Sequence, residues 1–330
     1  MANSHSTEAF GNSERAAAGD LEEFAIEANG WRARVSPRGG SLRGAWFLGA
    51  DGSWLEAATG YSGESMKVGG QGDVLIPFPG RIREGAYSFQ GKKYQLDKND
   101  KEGPNAIHGF LRKNLWEIVS RSAASVSFAT SLRPDEHPGY PFSLDAVLDY
   151  DVSSEGLTCR FRITNSGDLA APVAAGFHPY FTVGSSKIDE DLLHLPMASM
   201  LDFKDMLPTG GVLPVEGTPF DFRAPRAIGS LAINSCFLDP IRDADGLIRI
   251  VLSSKNAGRN VTVWMDKAFD FVVLYSGDPL PEPHRRASLA IEPMTCGSDA
   301  FNYQQWGLVS LGPGASLSGA WGVSAHLEAS

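Results

Sequence analysis

Three segments far apart in the chain each set an ionisable side chain among small, aromatic and proline residues. They are Asn105-Ala106-Ile107-His108-Gly109-Phe110, Gly176-Phe177-His178-Pro179-Tyr180-Phe181, and Ile291-Glu292-Pro293 followed by Ser298-Asp299-Ala300-Phe301-Asn302. Two imidazoles and one carboxylate can supply a proton donor, a proton acceptor and a polarising hydrogen bond near neutral pH. Brought together by the fold, they would form an acid–base site that calls for no metal and no cofactor. The chain has seven histidines, and a single His is more often a surface or satisfied core residue; the aromatic and proline settings raise these two above that background. Arg81 leaves the chain just after Pro77-Phe78-Pro79-Gly80, where the backbone is stiff. Its guanidinium can donate several hydrogen bonds to vicinal hydroxyls or to a carboxylate. Taken alone, that segment reads equally well as a solvated hairpin.

The elements that must position these groups are strands. Phe142, Leu144, Ala146, Leu148, Tyr150 and Val152 alternate with polar or smaller residues, and after Ser153-Ser154-Glu155-Gly156 the same holds for Leu157, Cys159, Phe161 and Ile163. The two runs predict an antiparallel hairpin with one buried and one wet face. Period-two patterns recur at Trp31-Ala33-Val35, Val126 to Leu132 and Ile248-Ile250-Leu252, while the continuous apolar run Phe271 to Tyr275 suits a strand buried on both faces. Helical signals are scarce; Asp189 to Phe203 could hold a turn or two, interrupted by Pro196. Thirty-six Gly and twenty Pro supply the turns. Together these predict an all-β chain, a large antiparallel sandwich or barrel, with one domain over residues 21–330. Residues 1–20, rich in Ser, Ala, Asn and Glu, lack the cationic start and apolar stretch of a secretory signal and are expected to be a disordered tail.

Composition narrows the partners. A formal net charge of −10 disfavours phosphate backbones and anionic membrane surfaces, so nucleic acid and membrane are not expected. No apolar run approaches the roughly 18 residues that cross a bilayer. Cys159, Cys236 and Cys296 are odd in number and widely spaced, without zinc-ligand spacing, so no metal is expected and a reducing, cytoplasmic compartment is the simplest account. Gly69-Gly70-Gln71-Gly72-Asp73 lacks the strand–GxGxxG–helix context of a dinucleotide site and is expected to be a loop near a cleft. His137 and His284 beside prolines are expected to be exposed. Most of the seven Trp are expected in the core.

In order and separation, Gly80-Arg81, Asn105 to Phe110, His137-Pro138-Gly139-Tyr140-Pro141, Phe177-His178-Pro179-Tyr180-Phe181, Leu274-Tyr275-Ser276-Gly277 and Glu292-Pro293…Asp299-Ala300-Phe301-Asn302 resemble the aldose 1-epimerase (mutarotase) family over residues 24–325. The resemblance implies a galactose mutarotase-like antiparallel β-supersandwich with a monosaccharide cleft and no cofactor. It implies His178 as the acid and Glu292 as the base of ring opening, with His108 and Arg81 holding the sugar and Tyr180 and Asn234 in its binding segments. Mutarotation opens a cyclic hemiacetal, lets the C1–C2 bond turn, and closes the ring on the other face. It needs one proton removed from the C1 hydroxyl and one delivered to the ring oxygen, work for which a carboxylate and an imidazolium suffice.

Three positions depart from the family pattern. Asn234 stands where an acidic sugar contact is usual, Val273 where Gln is frequent, and Gly80 where Asn precedes the Arg. These leave the reaction type intact and unsettle galactose or glucose as the substrate. Asp299 and Asn302 are expected to brace the loop after Glu292. Alternatives are a hexose-6-phosphate mutarotase, with Arg83, Arg112 and Lys113 as phosphate contacts, or a non-catalytic carbohydrate-binding protein on the same scaffold. A glycoside hydrolase would want two cooperating carboxylates, and only one stands out.

Overall fold

Alternation of apolar and polar residues in so many segments leaves each strand with one face to bury, and two large sheets stacked face to face meet that demand. A computed structural model describes residues 23–254 and 256–327; the expected tail at residues 1–20 lies outside them. A 12-stranded sheet runs in the order Phe24–Ala28, Trp31–Ser36, Ser41–Leu48, Trp54–Thr59, Tyr180–Phe181, Leu289–Met294, Phe271–Tyr275, Asn234–Pro240, Met197–Lys204, Leu207–Pro214, with the short Gly176–Phe177 and Val74–Leu75 strands branching from it. A nine-stranded sheet runs Glu117–Arg121, Ser125–Leu132, Leu144–Ser153, Gly156–Asn165, Ser316–Leu327, Arg259–Met265, Ile248–Ser254, Leu192–His194, Arg226–Ala227. The strand pairings are antiparallel. Helix among the described residues is confined to single 3₁₀ turns, and none is long and apolar enough to cross a membrane.

The hairpin forms as its pattern predicts. Leu144 pairs with Asn165 and Ser153 with Gly156, leaving a two-residue turn, and Leu144, Ala146, Leu148, Tyr150 and Val152 are buried. From the facing sheet, Phe177 meets Phe161 and Trp321 at ring-centroid distances of 5.7 and 5.6 Å. One continuous core cluster draws on both sheets. Of the turn or two of helix that Asp189 to Phe203 could hold, only a 3₁₀ turn at Ile188–Glu190 forms, and it leads into the strands Leu192–His194 and Met197–Lys204. Pro196, without an N–H, falls in the gap between them and separates the two sheets.

Four of the Trp (Trp31, Trp116, Trp306, Trp321) are buried. Trp46 and Trp54 are half-buried beneath the guanidinium groups of Arg34 and Arg32. His137 and His284 are half-buried rather than exposed. His137 stacks on Phe110 at 4.0 Å, because a neutral imidazole packs on an aromatic ring as readily as it meets water.

Inter-sheet packing sets the stability of this arrangement. Leu148→Ala, at a fully buried position, is expected to cost about 2–5 kcal/mol, and Asp149→Ala, on the wet face of the same strand, no more than about 0.5 kcal/mol. Urea unfolding of the two variants checks the contrast; equal losses would mean the hairpin's faces are assigned wrongly.

Candidate active site

The Leu289–Met294 strand is buried along its whole length, flanked by Tyr180–Phe181 and Phe271–Tyr275. Its odd positions point inward: Ile291, with Val272 and Leu274 from the next strand, joins the main core. Glu292 points the other way, onto the outer face of the large sheet. Val273 sits directly across from it, and Tyr275 aligns with Asn234 one strand further on. Val273, Tyr275 and Asn234 line a cleft of about 390 Å³ with Glu292. The Phe271 to Tyr275 run is therefore not buried on both faces as its composition suggested; Val273 and Tyr275 are half-exposed to the cleft.

His178 reaches the same cleft because its strand is broken. Pro179 has no N–H for the ladder, so Gly176–Phe177 and Tyr180–Phe181 pair separately and His178 turns to the Gly69–Asp73 loop. Its N–H donates to the Asp73 carbonyl at 3.0 Å, and its own carbonyl accepts from Gly72 N–H at 3.0 Å. Gly70, at φ +76°, lets that loop pass the imidazole; a Cβ there would lie 3.1 Å from His178 Cδ2. His178 Nε2 ends 3.4 Å from Glu292 Oε1. Both side chains are almost wholly buried, and each keeps one polar atom without a hydrogen-bond partner, His178 Nδ1 and Glu292 Oε2. Burial pushes the His178 imidazole down to about 3, helped by the positive charges of Lys67 and Arg112. Burial likewise pushes Glu292 well above 4.5, against the pull of Arg81. Both effects favour a pair with no net charge.

His108 faces His178 edge-on at 5.6 Å. Its backbone is left-handed, φ +64°, and so is that of Gly109, where a Cβ would fall 2.2 Å from the Ile76 carbonyl. That turn closes on Gly80 twice: His108 N–H donates to Gly80 O at 2.9 Å, and Gly80 N–H donates to His108 Nδ1 at 3.3 Å. With Nδ1 accepting, the neutral ring carries its proton on Nε2. Burial lowers the His108 pKa well below 6.5, reinforced by His178, Arg112, Arg81 and Lys67, so it is a neutral donor.

Arg81 pairs with the Ala106–Ile107 strand and sits on the cleft wall. Its Nε donates to Asp100 at 2.8 Å and one terminal nitrogen to Glu102 at 2.7 Å. Burial opposes the Asp100 charge, yet the hydrogen bonds from Arg81, Glu102 N–H and Asn105 hold its pKa below the ordinary value. Asp73, fully buried, takes Lys67 and Arg112 as ion-pair partners and so fixes Arg112 at the cleft.

The sequence candidates thus divide. His178, Glu292, His108, Arg81 and Asn234 line one cleft. Tyr180 does not; it stacks behind His178 at 5.2 Å, and its hydroxyl donates to Gly69 O at 2.7 Å. None of the Trp lines the cleft. Asp299 accepts from Arg83 N–H and from the Asn302 amide, and its own N–H donates to Arg81 O at 2.9 Å, tying the segment after Glu292 to the Arg81 strand. Asp100 and Glu102, which clamp Arg81, and Asp73, which orders Arg112, were missed. The polar turn sequence Asn99-Asp100-Lys101-Glu102 and the Asp closing the Gly-rich loop were the only signals for them. No cluster of three side chains able to hold a metal ion occurs among the described residues.

Fold and cleft together define a two-sheet β-sandwich protein with a buried imidazole–carboxylate pair on the floor of a small-molecule site. The chain belongs to the aldose 1-epimerase family, whose sequence profile matches residues 23–323, and is therefore an isomerase. The YihR protein of Escherichia coli is 32% identical over 240 residues, 72% of this chain and 74% of its own length. Galactose mutarotase of Homo sapiens is 28% identical over 223 residues, 64% of this chain and 63% of the mutarotase, so that match spans under two thirds of the relative. An aldose epimerase homologue from C. elegans has the same fold, with a TM-score of 0.83 at 22% identity covering 94% of this chain and all of that one.

The buried carboxyl has a stability signature. A carboxyl whose folded pKa lies above its unfolded value penalises the folded state once pH rises past the unfolded value, and not below it. Glu292→Gln removes that penalty and keeps the shape. The variant is expected to melt above the wild type at about pH 8 and to lose the advantage toward about pH 4. Thermal melts at both pH values check this; a variant less stable than wild type at the higher pH would contradict the burial argument.

Proposed function

We propose that this protein interconverts the α and β anomers of an aldose, with Glu292 and His178 as its proton-transfer pair. The observation that carries the reading is the 3.4 Å approach of His178 Nε2 to Glu292 Oε1 on the floor of the cleft, each group retaining an unpartnered polar atom. Glu292 removes the C1 hydroxyl proton while His178 delivers a proton to the ring oxygen. The C1–O5 bond breaks, the C1 aldehyde turns about C1–C2, and the two groups reverse roles as the ring recloses. His108 donates from Nε2 to a sugar hydroxyl, Arg81 offers the rest of its clamped guanidinium, and Asn234 contacts the sugar from the rim. Tyr180 positions His178 through its stack. A monosaccharide is the partner this site suits.

The pair works when it holds one proton. Protonated Glu292 with neutral His178 and ionised Glu292 with charged His178 have the same proton count, so either form can enter the cycle. Of the basic residues that could receive a phosphate, Arg112 lines the cleft but is held by Asp73, Lys113 is exposed and outside the cleft lining, and Lys101 reaches only the exposed rim. Arg83 instead bonds Pro208 O and the Asp299 side. This supports an unphosphorylated aldose. Three buried free cysteines support a cytoplasmic setting, and the shared core supports one domain across the described residues.

Glu292→Gln and His178→Asn are each expected to lower kcat at least about 10²-fold while leaving a folded protein. Polarimetry of anomer relaxation, with circular dichroism alongside, decides it; near wild-type turnover in either variant rejects that residue's role. The pH profile follows from the same pair. A second proton enters only near the depressed His178 value of about 3, and the last leaves only above the raised Glu292 value. kcat/KM is therefore expected to be flat from about pH 4 into the neutral range. A narrow bell centred at about pH 5.5, between the ordinary carboxyl and imidazole values, would mean the two groups titrate as ordinary, uncoupled side chains.

A further inference from the structure

The cleft is two-sided in chemistry. One wall carries Arg81, His108 and the Asn99–Glu102 turn. Elsewhere the lining carries an apolar patch of Phe203, Met206, Val273 and Met294, bordered by Tyr275 and Asn234. Phe203, Val273 and Met294 belong to one apolar cluster, continuous with the buried Leu201, Cys236 and Phe271 beneath. Met206 extends it from the turn between Met197–Lys204 and Leu207–Pro214, where it is left-handed (φ +62°) and 36% exposed. None of these four side chains can donate a hydrogen bond, and only the thioether sulfurs are even weak acceptors. Val273 is the direct cross-strand partner of Glu292. The wall therefore begins about one strand spacing, ~5 Å, from the carboxyl and continues away from it. A sugar with C1 at Glu292 and its ring laid across the strands would bring its rim remote from C1 onto this wall.

We propose that the wall formed by Phe203, Met206, Val273 and Met294 selects a deoxy-aldose, whose methyl or methylene group stands where an ordinary hexose carries a hydroxyl remote from C1. The inference rests on the mutarotase reading of the same cleft. A hydroxyl turned onto this wall loses its water and gains no partner, whereas a C–H or methyl group there buries apolar surface. Discrimination by an apolar pocket against an added hydroxyl is modest, about 5- to 100-fold in kcat/KM.

The test compares anomer relaxation of 6-deoxygalactose with galactose, and of 6-, 4- and 3-deoxyglucose with glucose, on the full chain. At least one deoxy sugar is expected to exceed its parent by about 5- to 100-fold in kcat/KM. In Val273→Gln and in Met206→Gln that ratio is expected to fall toward unity, because the amide gives the hydroxyl a partner. Met206 is exposed enough for its variant to fold if the Val273 change does not. Parent sugars that turn over as well as or better than every deoxy analogue would overturn the inference and leave the mutarotase reading standing. A deoxy preference unchanged in both variants would also overturn it, since the wall would not be its cause. If no aldose relaxes faster than in buffer, the mutarotase reading fails, and the inference with it.

Discussion

Two groups that prefer water, an imidazole and a carboxyl, are held out of it 3.4 Å apart, and much of the architecture serves that constraint. Burial opposes the charge of each, so the fold must spend packing energy to keep them there. The large sheet meets the cost with a fully buried central strand under Glu292 and an apolar core beneath it. His178 is then delivered by a deliberate failure of pairing, at a proline that splits its strand. The surrounding cations do not rescue the pair with counter-charge. Lys67 and Arg112 share Asp73, and Arg81 takes Asp100 and Glu102, three cations set against three carboxylates. What remains in the cleft is a set of strongly directional donors with little excess charge, suited to a neutral polyhydroxylated ligand.

Much of this was readable in the residues. Alternation along Phe142 to Ile163 predicts the hairpin and its buried face because a strand's side chains repeat every two residues, whatever the rest of the chain does. Four sparse motifs locate His108, His178, Glu292 and Arg81, and three of them need a special local backbone, at His108-Gly109, His178-Pro179 or Gly80-Arg81, that leaves Gly and Pro as markers. Tyr180 lies in the segment that carries His178, but its side chain turns behind the imidazole. Motif position fixes the backbone; cross-strand neighbours decide where a hydroxyl goes.

The misreadings have a common source. The run Phe271 to Tyr275 reads as a strand buried twice over because apolar residues usually report burial against protein, and here two of them face the cleft instead. The apolar segment around Pro196 suggested a helix because its polar spacing is irregular; it is irregular because two short strands from different sheets meet there. Asp73, Asp100 and Glu102 escaped notice since nothing local distinguishes a carboxylate that braces a guanidinium from one that merely faces water. That difference is made by partners 6 to 39 residues away.

Each group of the site is moored through its main chain: His178 to Asp73, His108 to Gly80, and Asp299 to Arg81. Amide-to-carbonyl ties do not depend on what side chain a residue carries. The lining of the cleft is thereby uncoupled from the machinery beneath it, and replacements such as Asn234, Val273 and Gly80 can accumulate without displacing the imidazole–carboxyl pair. Such a scaffold is evolvable in a specific sense: its diet of sugars can drift while its reaction stays put.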